Sequence, residues 1–252
     1  MSEAKPGWVS RFLVPPIAAL QFLTLVPPII RRLFTSSEMG RAVGYFPLVG
    51  ALLGGLLVLL DKGLSLLLPS GVVAALLLTV ELLFTGALHL DGFLDSCDGL
   101  LGWHTPEKRL EIMRDERVGA FGVAGGILVL LLKYAALTAM PNRAAALICA
   151  ATAGRWAMAL AVVTFPYGRA SGLGRALKDH AGPTQAILAT VIALAVVWLT
   201  AGWWGLGALA VAGALLWLTA RYVLARLPGL TGDIYGAICI LAEVVVLIWM
   251  IR

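Results

Sequence analysis

Charge is what this sequence has least of. Lys, Arg, Asp and Glu together make up 13% of its 252 residues, about half the share usual in soluble domains. With 60% hydrophobic residues and a mean hydropathy of +0.93, the chain does not read as a soluble globular protein. Cysteine is scarce as well. Cys97, Cys149 and Cys239 are odd in number and far apart, so they give neither zinc-ligand spacing nor a disulfide framework. Cys149 and Cys239 read as buried thiols. No basic block and no aromatic-basic platform is present, which excludes a nucleic-acid partner. The N-terminal stretch MSEAKPGWVSRF lacks the compact apolar core and small-residue cleavage site of a removable leader.

What the sequence has is long apolar runs. A helix needs about 17–25 apolar residues to cross a bilayer. Such runs occupy 43–60, 72–90, 120–140, 144–165, 184–201, 203–220 and 234–251. An eighth, 12–30, carries Pro15, Pro16, Pro27 and Pro28. Those prolines leave about ten uninterrupted helical residues, so the segment reads as interfacial or re-entrant, with a kinked span as the alternative. The expectation is an all-α, polytopic integral membrane helix bundle of about seven transmembrane helices plus this N-terminal segment, forming one domain over 1–252. Glycine patches at Gly50, Gly54 and Gly55 and at Gly122, Gly125 and Gly126 lie inside runs, where small residues let helices pack closely.

Basic residues set the orientation. With seven spans, one side collects Arg31, Arg32, Arg41, Lys108, Arg109, Arg114, Arg117, Arg169, Arg175, Lys178, Arg221 and Arg226; the other holds Lys62, Arg143 and Arg252. Twelve against three makes the first side cytoplasmic. The long polar loops fall on that same side, and 91–119 is its expected active-site loop or helix.

That segment opens with HLDGFLDSCDG, residues 89–99. If the segment is helical, spacings of four and three put Asp91, Asp95 and Asp98 on one face, where like charges repel unless a cation sits among them. Carboxylates without a histidine or cysteine ligand pattern favour a hard cation such as Mg2+, which completes its shell from water and substrate phosphate. Asp115 is either a fourth ligand or an ion-pair partner of Arg114 and Arg117, whose guanidinium forks suit phosphate oxygens. His89 is either a helix-terminal cation or a general base. From Glu107 to Arg117 the pattern is an amphipathic helix whose Lys108, Arg109 and Glu111 read as a solvated face.

Four ionisable residues lie within runs: Glu81, Lys133, Arg155 and Glu243. Charges there are costly unless they face the bundle interior and pair, and the two glutamates read as buried partners of the two cations. In loop 166–183, PYGRASGLGRALKDHAGP, the glycines with Arg169, Arg175 and Lys178 either wrap a phosphate or form a plain connector. In PGLTGDIYG, Asp233 is an N-cap, a ligand of substrate or metal, or both.

These pieces together resemble the cobalamin synthase family, the adenosylcobinamide-GDP ribazoletransferases. The similarity is carried in order by FLTLVP (22–27), GYFPLVGALLGG (44–55), TGALHLDGFLDSCDGLLG (85–102), RLEIMRDERVGAFGV (109–123), LLLKYAAL (130–137), AGRW (153–156), GLG (172–174) and TGDIYGA (231–237). Leu25 departs from it, since many members carry a basic residue there. The resemblance implies a magnesium-dependent transferase that joins adenosylcobinamide-GDP to α-ribazole, or its 5'-phosphate, and releases GMP. It implies an integral protein of a bacterial or archaeal inner membrane, with the lipid bilayer as its surroundings. It leaves open a homo-oligomer or an association with other corrinoid-pathway enzymes. Carried onto this chain, Asp91, Asp95 and Asp98 would be catalytic and hold magnesium with Asp115. His89 would act as base, and Arg114, Arg117, Arg155, Gly172, Gly174 and Asp233 would bind the pyrophosphate-bearing substrate. A CDP-alcohol phosphotransferase is the nearest alternative, but its paired-aspartate spacing is missing. A transporter would instead place its key charges at mid-membrane.

Overall fold

Proline placement shapes the start of the chain in the computed structural model, which describes residues 13–251. Residues 1–12, read as lacking a leader, and Arg252, one of the three basic residues on the poorer side, lie outside the described residues. Pro15 and Pro16 occupy the first turn of α1 (Val14–Leu23), where the missing N–H costs nothing. At ten residues α1 is too short to cross, as the sequence implied. Its Ala18, Ala19 and Leu23 are tucked into the bundle. A capping box starts α2 (Ser36–Ala42): Thr35 Oγ accepts from Glu38 N–H, and the Glu38 carboxylate accepts from Thr35 N–H. A 3-10 turn then leads into α3 (Phe46–Leu64).

The remaining helices are α4 (Ser70–Phe84), α5 (Leu88–Leu101), α6 (Pro106–Ile112), α7 (Ala120–Ala139), α8 (Ala144–Thr164), α9 (Leu173–His180), α10 (Pro183–Leu224) and α11 (Gly232–Trp249). Five continuous helices are long and apolar enough to cross a membrane, or six if α4 and α5 count as one broken span. The 42-residue α10 is two helices meeting at Gly202, at φ 56° and ψ −134°, so each of the seven expected runs finds a helix. At that tip Trp198 and Trp203 pack edge to face with centroids 5.1 Å apart. Among the described residues there is no strand, only an isolated bridge between Tyr167 and Leu230.

One boundary differs from expectation in a way that matters. The run 72–90 stops as a straight helix at Phe84 and resumes at Leu88 after a 91° bend. The turn uses left-handed backbone at Gly86 and Ala87 (φ 60° and 55°), and Leu25 N–H closes it on Phe84 O at 2.7 Å. The acidic motif therefore lies within a helix rather than in a loop after one.

Helix α8 is the hub, packed against α3, α10 and α11. Gly50 and Gly54 of α3 touch the α8 backbone at Ala151 and Ile148, which fulfils the close-packing reading of those glycines. Arg143 joins the α3, α4 and α8 ends at one pole by donating to Asp61, Ser70 and Leu137 O. The segments 102–119, 165–182 and 225–231 gather at the opposite pole.

Candidate active site

Two glycines bring α5 against α11. A Cβ on Gly92 would sit 2.8 Å from Asp233 O, and one on Gly236 would sit 3.0 Å from His89 O. Only bare backbones approach this closely, and the approach places His89 and Asp91 opposite the first turn of α11. That turn is capped by Thr231, whose Oγ accepts from Ile234 N–H at 3.4 Å and donates to Asp233 Oδ2 at 3.1 Å. Asp233 is thus not the N-cap that its position suggested; it lies two residues inside, in the first turn, and pairs with Arg169 at 2.8 Å. Arg169 also donates to Met113 O at 3.2 Å. Its loop is fastened to the α10–α11 loop by Gly168 N–H to Leu230 O (2.7 Å) and Leu230 N–H to Pro166 O (2.8 Å).

These contacts enclose a cavity of about 460 Å³. Its exposed lining residues, Asp91, Arg114, Ser171 and Gly172, mark the mouth, and half-buried Phe22 with buried Phe46, Met158 and Val162 mark the inner wall. Gly172, at φ 121°, needs the freedom of glycine, and Gly174 leaves room for the Tyr167 ring, whose hydroxyl would be 2.8 Å from a Cβ there. Burial raises the Tyr167 phenol above its ordinary pKa. His89 lines the cavity at 2% exposure, and neither ring nitrogen has a hydrogen-bond partner. The Tyr235 hydroxyl is likewise buried and unpartnered.

The expected site residues separate into three places. His89, Asp91, Arg114, Gly172, Gly174 and Asp233 line this cavity. Asp95 lies one turn along α5, within electrostatic reach of Asp91, Asp233, Asp98 and Arg169. Asp98 turns to the start of α7, accepting from Gly119 N–H at 2.7 Å and Gly122 N–H at 2.8 Å. Asp115 and Arg117 border a second recess with Asp98 and His104, and Asp115 Oδ1 accepts from Arg117 N–H at 3.0 Å. Arg155 is in neither; it pairs with Glu243 between the helices. Among the described residues no group of three or more His, Cys, Asp or Glu side chains is arranged to hold a metal ion.

The third place is the network the sequence anticipated. Lys133 Nζ reaches both Glu81 oxygens at 2.8 Å and Glu243 at 2.7 Å, and Arg155 completes the group on Glu243. Arg109 corrects the sequence reading. It is not solvated; at 8% exposure it caps the end of α5 by donating to Gly99 O, Leu100 O and His104 O. Lys108 and Glu111 do remain exposed, paired at 2.7 Å. Sequence reasoning underrated Arg169, read as one basic residue among three, and passed over Tyr167, Tyr235, Phe22 and Phe46. The signal for Tyr235 was present in TGDIYGA.

The family model described as cobalamin-5-phosphate synthase matches residues 15–251. The chain belongs to the cobalamin-5-phosphate synthase family. As a member it is an enzyme, a transferase of cobalamin biosynthesis. Curated relatives named adenosylcobinamide-GDP ribazoletransferase include one from Desulforamulus reducens, 41% identical with 87% of this chain and 89% of the relative covered. Another, from Stutzerimonas stutzeri, is 41% identical with 94% and 97% covered. A third, from Roseiflexus sp., is 37% identical with 97% and 91% covered. No solved structure matches.

Proposed function

We propose that the chain joins adenosylcobinamide-GDP to α-ribazole, or its 5'-phosphate, giving adenosylcobalamin, or its 5'-phosphate, and GMP. The observation that carries this reading is the convergence of Asp91, Asp233, Arg114, Arg169 and an unpartnered His89 on one cavity, in a chain whose curated relatives bear that transferase name. A ribose hydroxyl of the acceptor attacks the phosphorus on the corrinoid side of the pyrophosphate. The bond from that phosphorus to the bridging oxygen breaks, and GMP leaves with that oxygen. A free ring nitrogen of His89 takes the hydroxyl proton. Arg114 and Arg169 hold the phosphate oxygens, as guanidinium forks do.

The carboxylates present suit magnesium, because that ion asks the protein for one or two carboxylates and takes its other ligands from water and phosphate. Asp91 and Asp233, the two carboxylates that line the cavity, would hold it. When bound, it supplies charge neutralisation on the transferring phosphate. Asp98 serves instead by seating the start of α7, and Asp115 and Arg117 steady the adjoining turn. Arg155 belongs to the ion network behind the cavity. The basic bias of the loops supports a cytoplasmic position for this pole, on an inner membrane.

Purified protein in lipid, given magnesium, adenosylcobinamide-GDP and α-ribazole, should release GMP in step with corrinoid product. Folded protein that releases none would overturn the reading.

A further inference from the structure

The cavity has two unlike halves. Its mouth holds the charged groups, and its inner end is closed by Phe22 stacked on Phe46 with centroids 6.0 Å apart and planes 20° from parallel. Phe46 and Val162 there have no exposure at all, and Met158 has 4%. A phosphate would not enter such a lining, because nothing in it could replace the lost water. Yet this half is not wholly apolar. Both ring nitrogens of His89 and the hydroxyl of Tyr235 are buried without partners on its wall. Buried polar atoms are nearly always hydrogen-bonded, and two such groups facing one cavity point to a ligand that satisfies them.

Size then decides between the two substrates. A cavity of about 460 Å³ takes one drug-sized molecule. A corrin macrocycle with its amide arms and a nucleoside diphosphate is several times bulkier than a single nucleoside. On the transferase reading above, we propose that the inner half is the subsite of the acceptor nucleoside. Its heteroaromatic base lies against Phe22, which Phe46 backs, and its ribose hydroxyls meet Tyr235 and His89. The corrinoid stays outside the mouth, with only its pyrophosphate reaching between Arg114 and Arg169. The acceptor subsite is therefore complete without the corrinoid, and it sets which lower base the enzyme accepts.

Calorimetric titration of the full chain in detergent with α-ribazole alone tests this without turnover. Wild type should bind one equivalent. Phe22→Ala should weaken binding and raise KM for α-ribazole about tenfold, the scale of losing one base-stacking partner, while KM for adenosylcobinamide-GDP stays within about twofold. Tyr235→Phe, which removes one oxygen and keeps the ring, should show the same selectivity with a smaller shift if Phe22→Ala fails to fold. Two results would overturn the subsite: no α-ribazole binding to a wild type that releases GMP, or variants that raise KM for adenosylcobinamide-GDP as much as for α-ribazole. Binding that Phe22→Ala weakens, in a protein that releases no GMP, would sink the transferase reading and leave the subsite standing.

Discussion

Two groups of charges sit a short way apart, and they have opposite characters. Behind the cavity, Glu81, Lys133, Arg155 and Glu243 are each at most 9% exposed. Their two negative and two positive charges are matched by direct ion pairs. At the cavity, Asp91 is exposed, Arg114 is exposed, and Asp95 stands among three other aspartates with Arg169 as the cation nearest to balancing them. A matched set of charges in a bilayer is a fastening, because any member removed strands another in a low-dielectric interior. A cluster left open to a cavity, short of positive charge, is one that a metal ion and a phosphate ester can complete. Intramembrane charge alone does not separate these roles. The balance of charge within the group does.

The sharpest way to break the contrast is to unbalance the buried group. Glu243→Gln strands Lys133 and Arg155 and should cost about 3–5 kcal/mol, visible as lost folded yield and a lower melting temperature in detergent. KM of the protein that survives should be unchanged, and an unmoved melting temperature would mean the network is not a fastening. Asp91→Asn should do the reverse, lowering GMP release on the order of a hundredfold with the melting temperature unmoved. Arg169→Lys comes next, because an ammonium cannot copy the fork that meets Asp233 and phosphate; kcat/KM should fall about tenfold, read from initial rates. Asp98→Asn should have the smallest effect. Losing the charge on the α7 N-terminus costs about 1 kcal/mol, and turnover should fall only severalfold. A loss as deep as that of Asp91→Asn would place Asp98 among the groups that touch the reacting phosphate.

Much of this was readable before any coordinates. Hydropathy alone delivered the seven runs, because a bilayer demands length and apolarity in each crossing helix. Pairing of Lys133 and Arg155 with the two glutamates followed from the cost of isolated charge. The three aspartates were found by spacing, but spacing says only that they share a helix face. It cannot say that α5 runs between two neighbours, so that Asp91 meets the α11 side while Asp98 meets the N–H groups of α7. The bend at Gly86 and Ala87 was hidden because apolar periodicity continues on both sides of it. Arg109 looked solvated because its neighbours Lys108 and Glu111 are; its burial depends on the end of α5, where it donates to Gly99 O ten residues earlier. Arg169 and Tyr235 gained meaning only when the 165–172 loop was fastened across the start of α11.

The central claim is that phosphoryl transfer takes place where Asp91, Asp233, Arg169 and His89 meet. GMP release tests it most directly, measured side by side for wild type and Asp91→Asn in lipid with magnesium, adenosylcobinamide-GDP and α-ribazole. The account predicts GMP formed in step with corrinoid product by wild type and nearly none by a folded Asp91→Asn. Full-rate GMP release by the variant, or silence from folded wild type, would contradict it.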